Sequence, residues 1–386
     1  MYEIKTMNNI AQAGLDQLTA RGFTVNNDAA DPVGMVIRSA KLHDMQFGKS
    51  LLGIARAGVG TDNVPVERCT EDGIVVFNAA GANAQAVVEL AVCSLVLASR
   101  DLMEGMLWAK SLAGHEDAEA EVEAGKKAFV GPEIMGKTLG IIGLGNIGAR
   151  IANAALALGM NVLGYDPYLS IEAAWRLSSD VQHAEDLGTI YRNSDYILVQ
   201  VHLNDSTRHM LNAEAFAQMK DGVRLINLAR GGLVDDDAIL DAIASGKVAR
   251  YVTDFPSAKI IGTKGVVAFP HLGASTPESE ERCAVMAAQE LADYIINGNI
   301  RNSVNMPQLV LERAGVSRLC AIHDNIPRML NSFLDLIGEE NINVEHMQNK
   351  ARGSIAYTVI DVGSPISPEL AARIAAVPHV KRVRVL

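Results

Sequence analysis

LGIIGLGNIGARIANAALALGMNVLGYDP, Leu139–Pro167, decides the reading of this chain. A short apolar run turns on Gly143-Leu144-Gly145-Asn146-Ile147-Gly148, passes into a helix-like pattern, and returns to an apolar run that ends in Asp166. The hexapeptide fits G-x-G-x-x-G. Its first glycine allows the tight turn, its second lets backbone approach a pyrophosphate, and its third packs helix on strand. The helix N-terminus then offers unpaired N–H groups and a positive dipole end to phosphates. An acidic side chain at 166 accepts both ribose hydroxyls of NAD and repels the 2′-phosphate of NADP. Glycine-rich turns are common, so the hexapeptide alone says little; strand before, helix after and acidic strand end together read as a dinucleotide seat.

Outward from this stretch, apolar runs alternate with helical patterns. On the N-terminal side, YEIKTMNNIAQAGLDQLTARGFTV reads as strand, helix, strand; GMVIRSAKL and LLGIARAG read as buried strands. GIVVFNAAGANAQAVVELAVCSLVLASRDL reads as strand, loop and long helix, and residues 111–127 as exposed helix and loop. On the C-terminal side YILVQVHL, VRLINLARGG, VARYVTDF and GVVAFPHLG continue the second series, and TPESEERCAVMAAQELADYIING reads as one helix closed by Gly298. Such alternation predicts parallel sheets with helices on their faces, with ligands at the carboxyl ends of the strands. From about Leu309 the order changes to β-α-β-β-α-β. The expected fold class is α/β: two Rossmann-like doubly wound parallel-sheet domains, plus a C-terminal α+β module of ββαβ type.

At 386 residues the chain is long enough for two or three domains. Its net charge of −11, with no long Lys/Arg run, argues against nucleic acid and membrane surfaces as partners. The four cysteines, Cys69, Cys93, Cys283 and Cys320, form no C-x-x-C pair and read as reduced thiols. MYEIKTMNNI carries no basic segment followed by an apolar core, and no apolar run reaches the ~20 residues that span a bilayer, so a cytoplasmic protein is expected. No metal site is expected.

Several strand ends carry chemistry. Arg230, in INLARGGLVDDDAIL, presents a planar guanidinium that can hold a carboxylate bidentately, or pair locally with Asp235. His271, in VVAFPHLGAST, suits the alcohol-to-carbonyl step, because imidazole can take the hydroxyl proton as hydride leaves for nicotinamide. Asp254, in YVTDFP, can hold a nicotinamide carboxamide or cap the turn before Pro256. Arg38 and Arg56 follow apolar strands and suit an acidic substrate's distal charge, with a surface ion pair the rival for Arg38. The amides of RAGVGTDN can form a nest for a carboxylate.

ARAGVGTDNV, LGIIGLGNIGARIA, LINLARGGLVDDDAI and PHLGASTPESE together resemble the D-2-hydroxyacid dehydrogenase family, in its phosphoglycerate branch, over nearly the whole chain. The resemblance implies a substrate domain over 1–92 with a returning segment 276–304, an NAD domain over 93–275, and a ferredoxin-like ACT domain over 310–386. It implies that substrate and nicotinamide meet in the cleft between the first two. By motif, Arg230 would hold the C1 carboxylate and His271 would be the acid/base; Gly58, Val59 and Asn83 would line the substrate side, with Arg38 and Arg56 for the phosphate. Gly143, Gly145, Asn146, Ile147, Gly148, Asp166, Val201, His202, Ala229, Asp254, Gly273 and Ala274 would line the NAD site.

Three departures stand out. Between Asp254 and His271 the family's histidine-orienting Glu is missing, and Lys259 falls at or near its place. VQVHLNDST lacks the usual His-x-Pro. In the tail, Pro327-Arg328 replaces Pro-Gly, while His323, Asn325 and Asn343 fall where an ACT module binds L-serine across a dimer. The expected activity is NAD-dependent oxidation of 3-phosphoglycerate to 3-phosphohydroxypyruvate, opening L-serine biosynthesis, in a homodimer or homotetramer. The alternatives are another 2-hydroxyacid dehydrogenase, acting on glyoxylate, hydroxypyruvate or 2-oxoglutarate, and a non-enzymatic NAD-responsive binding protein.

Overall fold

A computed structural model describes residues 2–386, the side chain of Glu172 apart. It divides into two compact units: the segment up to Asn83 together with Thr276–Leu386, and Ala84–Ser275. The first unit begins with β1 (Glu3–Met7), α1 (Gln12–Thr19), β2 (Thr24–Val25), β3 (Gly34–Ile37), β4 (Gly53–Arg56), α2 (Val66–Glu71) and β5 (Val75–Asn78). Their sheet is parallel, in the order β2-β1-β3-β4-β5. All four residues of β3 are buried because both faces of a parallel sheet are covered, which is why its sequence runs apolar without alternation.

The second unit holds α3 (Ala84–Ser99), α4 (Leu102–Ser111), α5 (Ala118–Gly125), β6 (Thr138–Ile142), α6 (Asn146–Ala157), β7 (Asn161–Tyr165), α7 (Ile171–Ala174), β8 (Gln182–His183), α8 (Leu187–Asn193), β9 (Tyr196–Val199), α9 (Ala213–Gln218), β10 (Val223–Asn227), α10 (Asp236–Ala244), β11 (Val248–Thr253) and β12 (Val266–Ala268). The seven strands are parallel, in the order β12-β11-β10-β9-β6-β7-β8. The order reverses between β6 and β9, and open α/β sheets bind ligands in the crevice at such a switch point.

The chain then returns to the first unit through α11 (Pro277–Asn297). Thr276 caps its start by accepting from Ser279 N at 3.1 Å, and Gly298 at φ 75° ends it. Beyond lie β13 (Ser317–Asp324), α12 (Met329–Glu339), β14 (Val344–Arg352), β15 (Ile355–Val362), α13 (Pro368–Ala375) and β16 (Val380–Val385). This β-α-β-β-α-β segment builds an antiparallel sheet in the order β14-β15-β13-β16. One face, with Leu319, Ala321 and Ile360, packs on Phe333, Ile337, Leu370 and Ile374 of α12 and α13. The other, with Cys320, Ile322, Tyr357 and Val359, joins Phe77, Leu291 and Tyr294 in one core with the first sheet. All eight residues of β15 are buried as a result.

Arg318 and Asp361 face each other across β13 and β15, both fully buried, through bonds of 2.6 and 2.7 Å. The same guanidinium donates to Asn297 O, Leu311 O and Glu312 O, tying the connector after α11 to the last sheet. No helix among the described residues is long and apolar enough to cross a membrane.

Candidate active site

In the second unit the glycine turn sits between β6 and α6. Gly143 has φ 96°, and a Cβ on Gly148 would strike Gly143 O, so the third glycine of the motif is demanded by backbone contact alone. At Gly145 a Cβ would meet no protein atom within 4 Å, so the protein's own packing does not call for this glycine. No side chain caps α6, which leaves its first amides, from Asn146, Ile147 and Gly148, open to an anion. Asp166 is held beside the turn: it accepts from Leu144 N and Tyr168 N, both at 2.9 Å, and stays half exposed with lone pairs to spare for ribose hydroxyls. These residues fit a dinucleotide diphosphate and its adjoining ribose. Asn146 turns its side chain to Arg176 and Arg150, so its contribution is its main chain. Val201 packs against Gly143, while His202 is exposed and accepts through its carbonyl from Thr207.

Beyond β10, Asn227 is buried and shapes the loop that carries Arg230. It accepts from Ala229 N at 3.1 Å and donates to Arg230 O at 2.9 Å. Arg230 donates to the buried Ala229's carbonyl and lies over the Phe255 ring, 5.6 Å from its centroid. His271 packs on the same ring at 4.3 Å. Arg230 and His271 therefore converge on one aromatic side chain at the carboxyl ends of β10, β11 and β12. Asp235 caps α10 through Ala238 N instead of pairing with Arg230.

Asp254 is 1% exposed. One carboxylate oxygen accepts from Gly273 N at 3.3 Å; the other, Oδ1, is buried without a partner. Burial pushes its pKa up, against the opposing pull of the His271 charge and the Gly273 amide. Ala274 follows, half-buried. Lys259 does not face the histidine: it bonds both oxygens of Asp237 at 2.9 Å in an exposed ion pair. Among the described residues no carboxylate is hydrogen-bonded to His271.

In the first unit, Arg56 ends β4 and donates to Arg38 O at 3.1 Å. A Cβ at Gly58 would collide with the Arg56 guanidinium, so glycine there lets the side chain fold over its own loop. Gly58 N is taken by Arg56 O at 2.8 Å; the amides of Val59 and Gly60, like those of Thr61, Asp62 and Asn63, find no acceptor among the described residues. Arg38 is ion-paired with Glu280 on α11, each about two-fifths exposed. Asn83 is buried, its Oδ1 unpartnered. In the last sheet His323 is 2% exposed and bonds Asp324 O and Thr358 Oγ1 through its two ring nitrogens, so neither is left for an outside ligand. Burial lowers its pKa. Asn325 donates to Gly353 O, and Asn343 is exposed and donates to Glu345.

Residues 105–273 match the NAD binding domain of the D-isomer specific 2-hydroxyacid dehydrogenases. The chain is 38% identical to the hydroxypyruvate reductase of Thermotoga maritima, over 67% of its own length and 83% of the relative's. The chain belongs to the D-isomer specific 2-hydroxyacid dehydrogenases. It is also 35% identical to the D-3-phosphoglycerate dehydrogenase of Methanocaldococcus jannaschii, over 70% of its own length but 51% of that protein's. It spans about half the length of several such curated phosphoglycerate dehydrogenases. The fold matches that of NAD+-bound 3-phosphoglycerate dehydrogenase from Entamoeba histolytica with a TM-score of 0.63, at 23% identity, covering 80% of this chain and 99% of that one.

At this candidate site, the side chains that reasoning from sequence passed over are Phe255, Asn227 and Asn78. Phe255 stands next to Asp254, and only its aromatic character at a strand end could have flagged it. Asn227 and Asn78 each end a buried strand, where a lone amide among apolar residues signals a backbone to be held.

Proposed function

We propose that the chain oxidises 3-phospho-D-glycerate to 3-phosphohydroxypyruvate with NAD, as the first step of L-serine biosynthesis. The observation that carries this reading is the convergence of Arg230 and His271 on Phe255, in the unit that holds the glycine turn. The resemblance to proteins called D-3-phosphoglycerate dehydrogenases supports this choice of substrate. When bound, NAD supplies the hydride acceptor. Arg230 grips the C1 carboxylate, and its stacking on Phe255 limits its rotamers. His271 takes the C2 hydroxyl proton as the C2 hydrogen leaves with its electron pair, and returns a proton in the reverse reaction. Phe255 covers one face of each group. Asp254 holds the Gly273 amide, fixing the loop behind His271. Arg56, with Arg38, takes the phosphate.

NADH formation on adding 3-phosphoglycerate tests this. His271→Ala is expected to lower kcat about 10²–10⁴-fold, and a wild-type signal no greater than that variant's disproves the reading. A second reading, reduction of hydroxypyruvate or glyoxylate, is favoured by the ion pair that engages Arg38 with Glu280, because it weakens the cation meant for a phosphate. In that case Arg56→Glu leaves hydroxypyruvate reduction largely intact.

For the C-terminal sheet the proposal is an ACT-type module that takes L-serine through Asn325 and Asn343, with His323 a buried support behind them. The assembly proposed is a homodimer through the NAD-binding unit, where α4 exposes Met103, Met106 and Leu107, with pairing of the C-terminal modules completing a tetramer.

A further inference from the structure

We propose that Asn78 is a positioning residue for the substrate carboxylate, acting through the peptide between Val59 and Gly60; the inference rests on the dehydrogenase reading above. Asn78 is the last residue of β5. Its side-chain amide donates to Val59 O at 2.6 Å, and the next main-chain amide, Ala79 N, donates to Gly58 O at 2.9 Å. A trans peptide is planar, and its carbonyl and N–H point in opposite directions. Drawing Gly58 O toward Ala79 therefore turns Val59 N–H away from the 78–79 segment, and drawing Val59 O toward Asn78 does the same to Gly60 N–H. Neither of these N–H groups finds an acceptor among the described residues. Successive free N–H groups of this kind form an anion-binding concavity. One donor is oriented by main chain, which no substitution removes. The other depends on a single side chain.

Asn78 is itself held by the connector between α11 and the last sheet. Its amide donates to Asn302 O at 3.3 Å, and Ser303 forms a bridge with Phe77, the residue before it. Asn302 adopts a left-handed φ of 49° and donates its side chain to the buried Glu290 of α11. Arg352, at the end of β14, donates to Ser303 O at 2.9 Å. The residue that aims the Gly60 amide thus sits where the C-terminal module's connector meets the first sheet.

The experiment compares wild type with Asn78→Ala and with Asn78→Asp, which keeps the shape but cannot donate. Three quantities are read: kinetics with the acid varied at saturating cofactor, calorimetric binding of oxalate in the presence of NADH, and NADH binding with thermal melting. The expected result is a rise of about tenfold in KM and in the oxalate Kd, as for loss of one donor to a charged group. NADH affinity should stay within about twofold and kcat should change less than KM. Unchanged KM and oxalate affinity in folded variants overturn the proposal, as does no oxalate binding by wild type. A fall in NADH affinity and melting temperature that parallels the KM change also overturns it, because Asn78 would then serve the fold only. If wild type ignores 3-phosphoglycerate but reduces hydroxypyruvate, the substrate assignment fails alone, and the same comparison is made with hydroxypyruvate.

Discussion

Among the described residues no carboxylate is hydrogen-bonded to His271; Asp254, buried with one oxygen unsatisfied, interacts with it through its charge. A carboxylate in that state opposes folding. Burial raises its pKa, so the folded chain holds its proton more tightly than the unfolded chain does. Stability is therefore lost as pH rises past the ordinary Asp range, and the penalty persists at neutral pH. Keeping such a group points to use, since sites of function are where local rules are broken at a cost in stability. Asp254→Asn should melt at the same or a higher temperature than wild type at pH 8, yet lose at least about tenfold in kcat/KM. A variant that is less stable and fully active contradicts this account. The placing of Arg230, His271 and Asp254 at strand ends was legible from residue types and spacing, because each stands just past an apolar run. What replaced the absent Glu was not. Lys259 occupies the relevant stretch of chain, and only the fold shows that it turns outward to Asp237.

Helix α11 was readable end to end, because Thr276, Pro277 and Gly298 mark its ends by local chemistry. Its buried Glu290 was not, since a Glu in a helix ordinarily faces water. Here it is 6% exposed, with Oε2 unpartnered, and burial pushes its pKa from 4.5 up to about 7. The folded chain thus keeps a proton that the unfolded chain releases above pH ~4.5. Stability falls as pH rises between those values, by up to about 3 kcal/mol, and the penalty is constant above the upper one. Glu290→Gln retains an acceptor for Asn302 and removes the penalty. Thermal melting should show a gain at pH 8 that vanishes near pH 4.5; a pH-independent difference would contradict the argument.

At the scale of the molecule, the last sheet is not a pendant module but shares a core with the first. Phe77, Leu291 and Tyr294 on one side meet Cys320, Ile322 and Tyr357 on the other. Arg318 is the polar counterpart of that core: one buried guanidinium gathers Asp361, the last carbonyl of α11 and two carbonyls of the connecting segment. Removing one partner of a buried ion pair leaves an uncompensated charge, so Asp361→Asn should cost about 3–5 kcal/mol. Urea unfolding measures it. A loss under about 1 kcal/mol would mean that the carbonyls alone satisfy the cation. Because the two sheets share that core, unfolding of the variant should reach the first sheet as well as the last.

The amino-acid sequence by itself determined what is local. Strand-turn-helix punctuation, the glycine turn before α6, the caps of α11 and the change of pattern after Leu309 depend on neighbours a few residues apart, where propensity and sterics act. Only the tertiary structure decided which groups end up buried and which are left without partners. Arg230 and His271 meet on Phe255, Arg318 meets Asp361, and Asn78 reaches Val59 because separate strands are brought side by side in their sheets. Burial, which sets the strength of every one of those interactions, is a property of that packing and has no signature in a short stretch of chain.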